Sequence, residues 1–140
     1  MHTADVPRAD LSTAQLAADL TPIVGADYVL TDDGSLMTYE CDGATLFKAT
    51  PHVVVLPATT QQVSDIVRYA NRVGAPFTAR GAGTGLSGGA MALAGGIIIG
   101  LNRMDRILEI DIENQRAVVE PGVVNLWITD AATPHGYHYA

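Results

Sequence analysis

Five glycines fall within nine residues in the run Arg80-Gly-Ala-Gly-Thr-Gly-Leu-Ser-Gly-Gly89. A backbone this rich in glycine can adopt φ > 0 and lets another molecule approach closely. Successive N–H groups in such a loop converge on a concavity that holds an anion. The loop is long enough for two linked phosphates, and the hydroxyls of Thr84 and Ser87 add donors. Arg80 opens the run with a guanidinium that suits either a phosphate or an acid at a strand end. The candidate binding set is therefore Arg80, Gly81, Ala82, Gly83, Thr84, Gly85, Ser87, Gly88 and Gly89. The plainer alternative is a flexible turn or a tight packing point, but turns rarely need glycine at this density.

A familiar pattern lies inside the same loop. Gly83-Thr-Gly85-Leu-Ser-Gly88 matches the dinucleotide fingerprint, and Asp105 follows at the distance of a ribose-binding acid. That fingerprint requires a helix whose N-terminus faces the pyrophosphate. Only Gly89-Ala-Met-Ala-Leu-Ala-Gly95 follows before the next apolar run, and a crossover helix needs roughly ten residues. The spacing predicts a loop running from strand to strand, with phosphate contacts made by bare backbone. A Rossmann NAD-binding enzyme is a lesser alternative, and so is a nucleotide-binding module without redox activity.

The remaining reactive residues are unpromising. Cys41 is the only cysteine; it excludes a disulfide framework and reads as a small buried thiol in a reducing compartment. His135 and His138 lack a third ligand nearby and read as loop histidines. His52 reads as a strand-entry residue, and Trp127, at helical spacing from Val123, Val124 and Ala131, as core. No nucleophile–base signature, zinc spacing or carboxylate pair is present, so neither catalytic nor metal residues are expected here.

Composition sets the bounds. The chain has 140 residues, 48% of them hydrophobic, with a formal net charge of −7. That describes one globular unit rather than a disordered segment, and it argues against nucleic acid or an anionic membrane as partner. Acidic residues concentrate before residue 50, whereas the glycine loop lies in the near-neutral remainder that carries Arg68, Arg72, Arg80, Arg103, Arg106 and Arg116. No apolar run reaches the length of a membrane span, and no signal peptide is expected at the N-terminus.

The elements that must position the loop are legible as patterns. Ser12-Thr-Ala-Gln15 is a capping box opening a helix with Leu16, Leu20 and Ile23, limited by Pro22. Residues 31–47 read as a polar surface arm with turns at Asp32-Asp-Gly34 and Asp42-Gly43. Val53-Val-Val-Leu56 is a buried strand. Thr59-Thr-Gln-Gln62 caps a helix with Val63, Ile66, Val67, Ala70 and Val73 on one face, closed by Gly74. Pro76-Phe-Thr-Ala79 is the next strand and delivers the glycine loop to the carboxyl end of a parallel β-α-β unit, where ligands of such sheets bind. Gly96-Ile-Ile-Ile-Gly100 is a further strand. Alternation of Leu108, Ile110 and Ile112 with acids predicts a half-exposed strand that turns at Asn114-Gln115 and returns over Arg116 to Glu120. A helix over Asn125 to Thr133 closes at Pro134 and Gly136. The fold class is α+β, a small parallel unit followed by the start of an antiparallel sheet.

The ordered motifs resemble a known family. Val-Val-Val-Leu-Pro57, the capped helix, Pro-Phe-Thr-Ala-Arg-Gly-Ala-Gly-Thr-Gly-Leu-Ser-Gly-Gly89, Ile-Ile-Ile99 and Val119-Glu-Pro-Gly-Val123 resemble the PCMH-type FAD-binding domain of the vanillyl-alcohol-oxidase-like flavoproteins. Tyr39-Glu-Cys-Asp-Gly43 and Pro134-His-Gly-Tyr-His-Tyr-Ala140 resemble the group holding the glycolate oxidase D subunit and D-lactate dehydrogenases. The resemblance implies that the loop at Arg80 to Gly89 wraps the FAD pyrophosphate and that Pro121 and Gly122 line the same site. Some relatives carry a flavin-linked histidine in this loop. Thr84 stands at that place, which implies non-covalent FAD. It further implies a truncated, amino-terminal piece: residues 1–48 as helix and arm, and 49–140 as the first part of the FAD domain. The parent would oxidise a small 2-hydroxy acid, glycolate or D-lactate, to the 2-oxo acid through a separate substrate domain. The fragment alone is expected to be inactive. Flavin and iron–sulfur subunits are the implied partners, in the cytoplasm or peripheral at the inner membrane.

Overall fold

In the computed structural model, residues 11–92 and 95–139 are described. Helix α1 (Thr13–Val24) starts where the Ser12 side chain accepts the Gln15 N–H. The Gln15 side chain donates to Asp19 instead of reaching back, so only half of the capping box forms. Pro22 lies inside the last turn rather than ending the helix. The final carbonyls still find donors: Gly25 N–H bonds Thr21 O, and the Gln62 amide bonds Ile23 O at 2.9 Å. Gln62 thus couples the end of α1 to the start of α3 (Thr60–Val73), whose own cap is Thr59. Gly74, at φ 68, ends α3 in the left-handed conformation. Between the two helices, Tyr69 donates its hydroxyl to Asp19 at 2.9 Å. Burial, reinforced by that bond, pushes the Tyr69 phenol up to about 12.

The sheet is mixed and ordered β1-β2-β4-β3. Strands β2 (Val53–Val55), β4 (Ile97–Gly100) and β3 (Phe77–Arg80) run parallel, while the short β1 (Val29–Leu30) is antiparallel to β2. The β-α-β unit is therefore parallel as expected, but β4 is inserted between its two strands. Ile98 pairs with Val54 on one side and Thr78 on the other. Central strands with both faces covered read as unbroken apolar runs, and β2 and β4 are buried throughout. Val53, Val55, Ile97 and Ile99 pack on Leu16, Leu20, Ile66 and Ala70. Each such aliphatic side chain contributes about 1.5–3 kcal/mol when buried.

The opposite face corrects one expectation. Val54 and Ile98 point away from α1 and α3 and are covered by Leu36 and Ala92, with Leu30, Tyr39 and Leu56 at the margin. Leu36 belongs to α2 (Asp33–Met37), which Asp32 caps through the Ser35 N–H. The segment read as a polar surface arm thus supplies the second cover of the sheet. Its Asp32-Asp-Gly34 signal marks a helix start, since a capping aspartate and a turn aspartate look alike in sequence.

The second sheet is the hairpin of β5 (Ile107–Asp111) and β6 (Arg116–Val119). The turn falls where expected, with Gln115 at φ 52. Strict alternation does not hold: a register shift between Ile107 and Glu109 leaves Leu108 57% exposed. Helix α4 (Asn125–Ala132) continues into a 3₁₀ turn, Thr133–His135, that ends at Gly136. Its buried stripe is Ile128 and Ala132, four residues apart, so Trp127, one position out of phase, is 44% exposed and not core. No helix among the described residues is long and apolar enough to cross a membrane.

Candidate functional site

The glycine loop leaves the carboxyl end of β3 and returns at the start of β4, its parallel neighbour. Parallel neighbours need a crossover, usually a helix. Here an irregular loop makes it, and no helix follows the glycines among the described residues; Leu93 and Ala94 of the short connecting stretch lie outside them. Among the described residues the helix N-terminus that a Rossmann arrangement uses is missing, and Asp105 is exposed in the link between β4 and β5.

Arg80, the last residue of β3, is 7% exposed. Its Nη1 donates to Cys41 O at 2.8 Å and to Ala90 O at 3.2 Å, and its guanidinium lies 5.3 Å from the Tyr39 ring centre. Among the described residues it pairs with no carboxylate, so the acid-partner reading of Arg80 fails. A buried cation without a counter-ion is costly, and this one lies directly under the loop. A Cβ on Gly83 would come within 2.3 Å of Nη2.

The loop glycines divide into two kinds. Gly83 (φ 71) and Gly88 (φ 75) hold left-handed backbone that the fold itself requires. Gly81, Gly85 and Gly89 do not: their φ lies outside that region, and an added Cβ at any of them meets nothing within 4 Å. Among the described residues, neither conformation nor packing calls for glycine there. Among the described residues, the N–H groups of residues 81 to 87 and of Gly89 have no protein acceptor, whereas Gly88 N–H is bonded to Asp42. Exposed N–H donors, a face cleared of side chains and an unpaired cation beneath fit a phosphate group that comes close to the backbone. Thr84 and Ser87 are exposed on the same loop.

Pro121 and Gly122 come to the same edge of the sheet. Leu101 joins the two segments, since its N–H donates to Arg80 O at 2.8 Å and its carbonyl lies against Gly122. Gly122 N–H bonds Met104 O at 2.8 Å. Glu120, 8% exposed, fixes this turn: its carboxylate takes the Arg106 N–H and both Nε and Nη2 of the guanidinium. The Arg106 side chain is the main cause, and its N–H the second, that holds the Glu120 carboxyl below the usual range. A carboxyl depressed in the folded state stabilises above its unfolded value, about 4.3, and loses that contribution as pH falls through the lower folded value. Melting temperature should therefore fall as the solution is acidified past that region. Glu120→Gln should lower the melting point at neutral pH and flatten the acid decline, as read by calorimetry across pH.

Sequence reasoning missed Asp42. It is 4% exposed and accepts the Ala44 N–H at 2.9 Å and the Gly88 N–H at 2.6 Å. The pair Asp42-Gly43 reads locally as a turn, and nothing in the sequence places it against a loop more than forty residues on. His135 and His138 are exposed, His52 lies at strand entry with its N–H on Gly95 O and Gly96 O, and Cys41 is half-buried.

A mixed sheet presenting a bare glycine loop at the carboxyl end of a parallel strand, with an antiparallel hairpin beside it, makes a small α+β domain whose open edge suits a phosphate-bearing ligand. Residues 51–140 match the FAD binding domain family, and the chain belongs to it. It is 41% identical over 128 residues to glycolate oxidase subunit GlcD of Escherichia coli (strain K12), covering 91% of this chain and 26% of that protein. To D-lactate dehydrogenase of Archaeoglobus fulgidus it is 40% identical over 87 residues, 62% of this chain and 19% of that one. Among solved structures, 4-ethylphenol oxidase from Gulosibacter chungangensis superimposes with a TM-score of 0.80 at 30% identity, covering 96% of this chain and 27% of that one. The match thus spans about a fifth to a quarter of these curated relatives. FAD is the cofactor of the family.

Proposed function

We propose that the chain is the FAD-binding portion of a flavin-dependent 2-hydroxy-acid oxidoreductase. Residues 80–89 would take the pyrophosphate, and Pro121 and Gly122 would line the same site. The observation that carries this reading is the set of three glycines, 81, 85 and 89, that nothing among the described residues requires. In this reading the N–H groups of Gly81 to Ser87 and Gly89 donate to phosphate oxygens, and Thr84 and Ser87 add hydroxyl donors. Arg80 acts from beneath, balancing the phosphate charge while its own hydrogen bonds go to Cys41 O and Ala90 O. When bound, FAD supplies the hydride acceptance that turns a 2-hydroxy acid into a 2-oxo acid. Residues 1–48 then serve as helix and arm, and 49–140 as the first part of the flavin domain. The similarity to a glycolate oxidase subunit and a D-lactate dehydrogenase supports glycolate or D-lactate as substrate class, with oxidation requiring chain or subunits beyond these residues. Flavin and iron–sulfur subunits, in the cytoplasm or at the inner membrane, complete the proposal.

Titrating FAD into the purified protein, followed by flavin absorbance and fluorescence, tests the assignment. Saturable binding that ADP competes with is expected, and an adenine nucleotide bound without flavin preference would replace this reading with a non-redox nucleotide module. Because Thr84 has no imidazole, all the flavin should pass into the supernatant when the protein is denatured in acid. Flavin fluorescence retained on a denatured protein band would contradict non-covalent attachment. Turnover of glycolate and D-lactate with an artificial acceptor should need the chain as its gene encodes it and be absent from residues 1–140 alone.

A further inference from the structure

We infer that Asp42 is a positioning residue for the cofactor, holding the glycine loop in its phosphate-binding shape from outside the loop. The inference rests on the reading of residues 80–89 as the pyrophosphate site. Four contacts tie Tyr39–Ala44 to the loop. Asp42 Oδ2 accepts the Gly88 N–H at 2.6 Å, and Gly43 N–H donates to Gly85 O at 2.9 Å. Arg80 Nη1 donates to Cys41 O at 2.8 Å. Gly43 itself sits so close that a Cβ there would meet Thr84 O at 2.8 Å and Gly85 O at 3.1 Å.

These contacts share a logic. The segment takes the carbonyl of Gly85 and the N–H of Gly88, so it fixes the two ends of Gly85–Gly88 while leaving the N–H groups of Thr84 to Ser87 without a protein partner. Turning the Gly85 carbonyl toward Gly43 turns the Leu86 N–H away from it, because the C=O and N–H of one peptide plane point in opposite directions. Asp42 uses both carboxylate oxygens, one on Ala44 N–H and one on Gly88 N–H, and so also locks its own backbone turn. A loop rich in glycine would otherwise sample many shapes, and ordering it at the moment of binding weakens affinity. A carboxylate this close to a phosphate site acts by shape, its two oxygens being taken up by the Ala44 and Gly88 N–H groups.

Asp42→Asn is the sharp variant, because an amide keeps the size but offers one acceptor where two N–H groups converge, and sets a donor against the other. In the chain as its gene encodes it, the FAD dissociation constant should rise by about tenfold or more, and the phosphorus NMR resonances of bound FAD should shift. Gly43→Ala, which presses on the loop carbonyls from the same side, should do likewise and decides the matter if Asp42→Asn does not fold. Gly85→Val serves as reference. If it leaves FAD affinity unchanged, the loop reading itself fails. If it removes FAD while Asp42→Asn stays within twofold of the parent, or loses affinity with unmoved phosphorus resonances, the positioning role is overturned and the loop reading stands.

Discussion

Gly85→Val is expected to strip FAD from the protein while leaving the fold intact. Among the described residues a Cβ at position 85 meets no atom within 4 Å, and the backbone there is not left-handed, so the cofactor-free loop can take a side chain at this point. In the reading proposed above, that space belongs to phosphate oxygens. Their charge-assisted bonds to backbone N–H groups contribute about 1.5–3 kcal/mol each. Displacing two of them by the added methyls should weaken FAD by roughly two orders of magnitude or more. Flavin content after purification, FAD titration and the melting temperature without cofactor check the three parts. Normal flavin content in a folded Gly85→Val protein would sink the phosphate assignment.

Gly122→Val should do the reverse and fail at folding. A Cβ at Gly122 would lie 2.6 Å from Leu101 O and 2.8 Å from Met104 O. Both obstacles are backbone, fixed because Leu101 N–H is bonded to Arg80 O and Met104 O to Gly122 N–H. Relief requires moving the link between β4 and β5 away from Glu120 and Pro121. Overpacking of this kind costs about 3 kcal/mol, a large share of the roughly 5–15 kcal/mol that holds a domain together. Chemical denaturation should show a markedly lower midpoint, and FAD at saturating concentration should restore only part of it. A midpoint equal to that of the parent would mean that the link is free to yield. The contrast matters: in the reading proposed above one glycine is required by the ligand, while the other is required by the chain.

The parts of the architecture that depend on neighbouring residues were legible. Ser12 and Thr59 cap helices, Gly74 ends one, and Leu16, Leu20, Ile66 and Ala70 on the buried faces of α1 and α3 follow from spacing, though buried Val24 and Tyr69 were not read as part of them. Continuous runs such as Val53–Val55 and Ile97–Ile99 announced buried strands, and the short stretch after Gly89 correctly excluded a crossover helix. What stayed hidden depends on distance along the chain. Insertion of β4 between β2 and β3 leaves no local mark, because all three strands look equally apolar. Polar composition suggested that residues 31–47 lie on the surface, yet two side chains, Leu36 and Asp42, do most of the joining there. Trp127 was misplaced by treating several apolar residues around α4 as one face, and the shift at Ile107/Glu109 broke a strand pattern that assumed perfect alternation. Arg80 was visible as a charge, but its carbonyl partners come from segments on either side of it.

The open-faced glycines of the loop also bear on the unfolded chain. Glycine has more conformations to lose on folding than any other residue, and replacing it where the native backbone tolerates alanine stabilises a protein by about 0.4–1 kcal/mol. Gly81, Gly85 and Gly89 all lack the left-handed φ and the steric neighbours that would forbid alanine. Three substitutions at this loop would therefore be stabilising if folding were the only demand on the chain. In the reading proposed above, the loop is a place where the demand for binding runs against the demand for rigidity, and forgone stability of this kind is a mark by which a ligand surface can be sought.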